Sequence, residues 1–104
     1  MEKQIKAYPI NIPLPSIAEI CQTYHIQKLS LFGSVLRDDF GPQSDIDILV
    51  EFQAGKTPGF RFINIQDRLS ERLGRTVDLN TPQDLSRYFR EQVLAEAEVI
   101  YVKK

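Results

Sequence analysis

The chain has 104 residues, 42% of them hydrophobic and 26% charged, which suits one folded domain around a single core and not a disordered segment. Thirteen basic and fourteen acidic residues leave a net charge of −1, so the basic excess of a dedicated nucleic-acid binder is missing and no direct nucleic-acid binding is expected. One cysteine and one histidine exclude an intramolecular disulfide and a Cys/His zinc set.

The charged start Met1-Glu2-Lys3 lacks a signal-peptide core, and no apolar run nears the roughly 18 residues of a membrane span, so the cytoplasm is the expected location. Residues 1–14 read as an extended arm: Pro9, Pro13 and Pro15 discourage helix, while Ile10, Ile12 and Leu14 alternate as if one side packs down. Ser16 followed by Glu19 reads as a capping box, and Ile17, Ile20, Cys21 and Tyr24 give the apolar stripe of a first helix. Cys21 on that stripe reads as a small core residue, and His25 at the helix end as structural or exposed.

Residues 29–32 form a short apolar strand that ends at Gly33, and residues 34–39 a helical turn closed by the breaker pair Gly41-Pro42. Residues 45–52 alternate most clearly: Ile46, Ile48, Val50 and Phe52 face one way, Asp45, Asp47, Leu49 and Glu51 the other. A loop with Gly55, Pro58 and Gly59 leads to a second helix over residues 60–73, with Phe62, Ile65 or Gln66, Leu69 and Leu73 inward and Gly74 as its C-cap. Residues 76–80 form another strand. Pro82 precedes a third helix over 83–96, in which Leu85, Phe89, Val93 and Ala97 step by four, and residues 99–102 close the chain as a strand. Residues 1–104 are therefore expected to form one α/β (α+β) domain, a small mixed sheet covered by helices, with strand order left open.

Asp45 and Asp47, two apart on a strand, put their carboxylates on one face with alpha carbons about 6.5–7 Å apart. Like charges so close are unfavourable unless something positive lies between them, and a hard divalent cation such as Mg²⁺ takes carboxylate and phosphate oxygens together. In Thr76-Val77-Asp78-Leu79-Asn80 the apolar Val77 and Leu79 force Asp78 to the opposite side. If that strand adjoins residues 45–52 over the same core, the three aspartates share a face. Asp-x-Asp alone also describes the wet face of a half-buried strand. Upstream, Gly33-Ser34 offers backbone N–H groups and a hydroxyl suited to phosphate oxygens, although Gly-Ser is equally a common capped turn.

Gly33-Ser34, ten residues, then Asp45-Ile46-Asp47 resembles the signature of the DNA polymerase β-like nucleotidyltransferases. The fuller strings Gly33-Ser34-Val35-Leu36-Arg37, Ser44 to Val50 and Val77-Asp78-Leu79 are similar to the minimal nucleotidyltransferase branch, over residues 16–102. The resemblance implies the polymerase β-like fold and transfer of AMP from ATP. Gly33 and Ser34 would cradle the triphosphate, Asp45 and Asp47 would hold two Mg²⁺ ions, and Asp78 would be metal ligand and base. Arg37 matches the family's basic residue near the phosphates, and would otherwise pair with Asp38 or Asp39 on the surface. Arg61, Arg68, Arg72 and Arg75 form either a solvated helix face or a partner surface.

Members of that branch act beside HEPN-type toxins, so the resemblance further implies an antitoxin that transfers AMP to a toxin tyrosine. A non-catalytic binding antitoxin and nucleotidyl transfer to a small molecule are the alternatives.

Overall fold

The computed structural model describes residues 8–104. Four strands form one mixed sheet in the order β3-β2-β1-β4: β1 (Ile26–Phe32), β2 (Ile46–Phe52), β3 (Val77–Asn80) and β4 (Glu98–Val102). β1 runs antiparallel to both β2 and β4, whereas β2 and β3 are parallel. Helices α1 (Leu14–Thr23) and α2 (Phe62–Leu73) bury Ile17, Ile20, Cys21, Ile65, Leu69 and Leu73 against Leu29, Leu31, Ile46, Ile48, Val50, Val77 and Leu79 of the sheet. The inward stripes are those expected from the sequence, and Gly74 terminates α2 in the left-handed region at φ 69°.

Four local readings need correction. Ser16 does not cap α1: the helix begins at Leu14 after Pro13, with Pro15 in its first turn, and the Pro13 carbonyl accepts the Ile17 N–H at 3.0 Å. Proline fits a first helical turn because the N–H it lacks would be unpaired there anyway. The part of the proposed arm over residues 1–7 lies outside the described residues; beyond it, Ile10 and Ile12 pack against the core, and the Tyr8 hydroxyl donates to Glu98 Oε1 at 2.6 Å.

Strand β1 is longer than residues 29–32. A register shift between Ile26 and Lys28 lets Ile26, an even position, share the core with Leu29 and Leu31, odd positions. Such a bulge inverts the alternation on which the sequence reading depends. The turn after β1 is a single 3-10 turn over Gly33–Leu36, and Arg37 is already extended.

The third helix is shorter than expected, α3 spanning Arg90–Glu96 alone, after a separate 3-10 turn at Pro82–Asp84. Asp84 Oδ2 accepts the Thr81 N–H, closing that turn. The Arg90 side chain then donates to the carbonyls of Pro82 at 2.8 Å and Leu85 at 2.9 Å. Leu85 is extended, at φ −81° and ψ 144°, so no continuous helix runs through 85–89, and Phe89 stays exposed instead of facing the core.

Strand β3 lies at the edge of the sheet, where unpaired N–H groups invite disorder or foreign pairing. Helix α2 answers with two polar side chains on its inner side. Ser70 Oγ accepts the Val77 N–H at 3.0 Å, and Gln66 Oε1 accepts the Leu79 N–H at 3.0 Å. These bonds bracket Asp78 and fix its direction. Ser70→Ala is expected to lower the unfolding free energy in urea by about 1 kcal/mol, since a half-buried donor loses its partner.

Candidate active site

Parallel pairing places Asp47 of β2 directly opposite Asp78 of β3, and strands so paired lie about 4.8 Å apart. On its other side Asp47 stands opposite Phe32, the residue before Gly33. Asp47, Asp78 and the end of β1 therefore meet on one face, the face away from Ile46, Ile48, Val77 and Leu79. Asp45 sits just ahead of β2, exposed, on the same side. That face is not wholly open to water, because Leu49 and Ser30, opposite one another in register, are each 2% exposed.

The site is tight where β1 ends. Gly33 has φ 78°, a left-handed conformation that costs an L-residue about 1–2 kcal/mol. A Cβ there would also overlap Asp47 Oδ2 and lie 3.1 Å from its Cγ. Glycine is required on both counts, and the backbone after β1 comes directly against the carboxylate. Ser34 follows in the 3-10 turn, whose carbonyl accepts the Arg37 N–H at 2.8 Å. One such turn carries little helix dipole, so what Gly33-Ser34 can offer an anion is its N–H groups and the hydroxyl.

The electrostatics follow from this packing. Asp47 is pushed up to about 6, first by burial, then by the charges of Asp78 and Asp45 and a hydrogen bond to the Asp78 side chain; the Arg37 guanidinium pulls it the other way. Arg37 thus acts on the site electrostatically, and its nearest acidic partner is Glu96 of α3 at 3.9 Å, not Asp38 or Asp39. Among the described residues no group of three or more Asp, Glu, His or Cys side chains is placed to hold a metal ion. What converges is a coupled carboxylate pair with a third carboxylate two residues away, open on one side.

Of the other singled-out residues, Cys21 is buried and its thiol pushed up to about 12 by burial, as an inert core cysteine should be. His25 is exposed, with φ 59° at the turn from α1 to β1. Arg61, Arg68, Arg72 and Arg75 have different surroundings. Arg68 and Arg72 are solvated, the Arg61 guanidinium lies 5.0 Å from the Tyr24 ring centre, and Arg75 reaches into the loop before Asp45. Sequence reasoning did not find that last role; its only trace is an arginine between a helix-ending glycine and the Asp78 strand.

A mixed sheet with paired aspartates on adjacent strands, beside a Gly-Ser turn at a neighbouring strand end, defines a phosphoryl- or nucleotidyl-transfer scaffold. Residues 15–104 match the polymerase beta nucleotidyltransferase domain, and the chain belongs to this family, in its minimal nucleotidyltransferase branch. It is 35% identical over 88 residues to a candidate protein adenylyltransferase of Methanocaldococcus jannaschii, covering 85% of this chain and 94% of that one. To the protein adenylyltransferase MntA of Thermococcus cleftensis it is 33% identical over 85 residues, 81% and 82% of the two chains. A solved candidate minimal nucleotidyltransferase superposes with a TM-score of 0.67 at 32% identity, over 81% of this chain and 85% of that one. A toxin–antitoxin complex solved with AMP-PNP shares the fold, with a TM-score of 0.67 at 22% identity over 89% and 76%. The chain is a nucleotidyltransferase.

The raised Asp47 carboxyl carries a stability signature. In the unfolded chain it ionises near the ordinary value of about 3.9; in the folded protein it does so near 6. Between those values the folded state keeps a proton that the unfolded state has lost. The stabilisation is therefore full below about 4 and is lost as pH rises through 6. Without metal, Asp47→Asn is expected to abolish that decline in urea titrations and, above pH 7, to unfold at higher urea than the wild type. Parallel pH profiles for the two proteins would contradict the coupling.

Proposed function

We propose that this nucleotidyltransferase is a Mg²⁺-dependent protein adenylyltransferase and antitoxin, which moves AMP from ATP to a tyrosine of a HEPN-type toxin. The observation that carries the reading is the Asp47–Asp78 pair packed against Gly33. Relatives named protein adenylyltransferase and solved neighbours that are toxin–antitoxin complexes support a protein acceptor and a HEPN-type toxin partner. Residues 1–104 would be one domain, acting in the cytoplasm; among the described residues no helix is long and apolar enough to cross a membrane.

The donor set fits magnesium. Carboxylates that resist sharing negative charge, as Asp47 does beside Asp78 and Asp45, are relieved by a hard cation. Mg²⁺ ordinarily takes one or two carboxylates and completes its shell with phosphate oxygens and water, so an open set suffices. Asp45, Asp47 and Asp78 would hold it, in two ions by the family pattern. When bound it would neutralise phosphate charge and lower the charge cost of the attacking and leaving oxygens.

The chain's own residues do the rest. Gly33 and Ser34 hold the triphosphate through backbone N–H groups and the hydroxyl, and Arg37 adds positive charge beside them. Asp78 accepts the proton of the acceptor hydroxyl as its oxygen attacks the α-phosphorus. The bond from the α-phosphorus to the bridging oxygen breaks, pyrophosphate leaves, and AMP remains as a phosphodiester on the acceptor. The open side of the carboxylate cluster is where a protein acceptor would close the site.

Incubation with labelled ATP, Mg²⁺ and the product of the neighbouring gene tests this, with the label located by mass spectrometry. AMP on a toxin tyrosine is the expected product, lost in Asp45→Ala, Asp47→Ala and Gly33→Ala. Toxin neutralisation that survives these substitutions with no label transferred would replace the enzyme with a binding antitoxin.

A further inference from the structure

Asp45 and Asp47 would serve one site, yet they are held in different ways. Asp47 lies inside β2 with a paired strand on either side. Asp45 lies just outside β2, at the end of a loop, and shares the negative charge that burdens Asp47. A flexible loop would let it swing away from that repulsion and so lower the charge density that a cation needs.

One side chain opposes this. Arg75 Nη2 donates to the Gly41 carbonyl at 2.7 Å and to the Ser44 carbonyl at 2.6 Å. Its guanidinium lies 4.5 Å from the centre of the Phe40 ring. The segment it grips is already a closed turn, with the Ser44 N–H on the Gly41 carbonyl at 3.0 Å and the Gly41 N–H on Ser44 Oγ at 2.9 Å. The neighbouring Thr76 carbonyl accepts the Ile46 N–H at 2.9 Å. Contacts from residues 75 and 76 therefore fall on both sides of Asp45, at Ser44 and at Ile46.

Arginine suits this position because a flat fork can donate two hydrogen bonds while its face lies on an aromatic ring. Its charge is also directed at carbonyl dipoles, with no carboxylate among its hydrogen-bond partners within the described residues, so it does not neutralise the site it braces.

We infer that Arg75 is a positioning residue, which clamps the turn at Phe40–Ser44 so that Asp45 stays beside Asp47 for the metal; the inference rests on the metal-binding reading above. The same arginine starts the segment that enters β3, so one residue couples the approach to Asp45 with the approach to Asp78. Asp47 needs no such brace. Loss of the clamp should therefore weaken metal binding and leave the sheet intact.

The test is Mn²⁺ binding followed by electron paramagnetic resonance, with an ATP analogue carrying a methylene between the α- and β-phosphorus. Arg75→Met is expected to weaken Mn²⁺ binding about 10–100-fold, as loss of a group orienting metal ligands ordinarily does. Its circular dichroism should be unchanged and its amide protection should fall at residues 41–46. Transferase activity should return in part at raised Mn²⁺. Arg75→Lys should recover only part of the binding, since an ammonium can meet the carbonyls but cannot stack flat on Phe40.

If Arg75→Met does not fold, Phe40→Leu removes only the stacking face and should weaken Mn²⁺ binding in the same sense, by less. Wild-type affinity in the folded Arg75→Met protein, or in Phe40→Leu where it stands in, overturns the inference while the metal site survives. A wild-type protein that binds no Mn²⁺ overturns both.

Discussion

The structure turns on one electrostatic conflict, two carboxylates placed opposite each other on neighbouring parallel strands with a third two residues away. Charges 4 Å apart repel by about 4 kcal/mol at the effective dielectric of a protein surface. A fold does not assemble such a cluster for stability. Burial first, and then the charges of Asp78 and Asp45, raise the Asp47 carboxyl, and the Gly33 backbone lies directly against that side chain. The proposed cation and polyphosphate would turn that conflict into affinity.

The remainder of the small fold holds that conflict in place. Helix α2 buries its apolar stripe under the sheet and uses Gln66 and Ser70 to saturate the outer edge of β3, which keeps Asp78 directed across to Asp47. Gly74 ends the helix in a left-handed turn, and Arg75, the next residue, reaches back to the loop that delivers Asp45. Helix α2 and the residues just past its end therefore serve Asp78 and Asp45 through polar contacts with backbone groups. On the far side of β1, the Tyr8 hydroxyl ties the N-terminal approach to Glu98 at the start of β4; burial first, and then the hydrogen bond and charge of Glu98, push this phenol up to about 12.

Much of this was legible in the sequence, for physical reasons. Strand alternation fixed the faces of residues 45–52 and 76–80, and the parallel register of Asp47 with Asp78 fulfilled the condition on which the shared face rested. The stripes of α1 and α2 followed from helical spacing, because both helices bury one side. What failed did so where a local signal was overruled. The bulge after Ile26 broke the alternation of β1. The extended backbone at Leu85 interrupted the longer third helix, and the Arg90 side chain bonds carbonyls of the turn before it. Ser16 lost the cap position to Pro13, because Pro15 belongs in a first turn. Arg75 was invisible for a different reason: its partners are backbone carbonyls more than thirty residues away, and no side-chain pattern marks a carbonyl acceptor.

The most direct test of the central claim is the carboxyl carbon resonance of Asp47, titrated by NMR with and without Mg²⁺ and a non-transferable ATP analogue. The expected result is a midpoint near 6 in the free protein that falls well below the ordinary carboxylate range once metal and nucleotide are added, because the cation favours the ionised form. A free-protein midpoint near the ordinary 3.9, or one that metal and nucleotide leave unmoved, would contradict it.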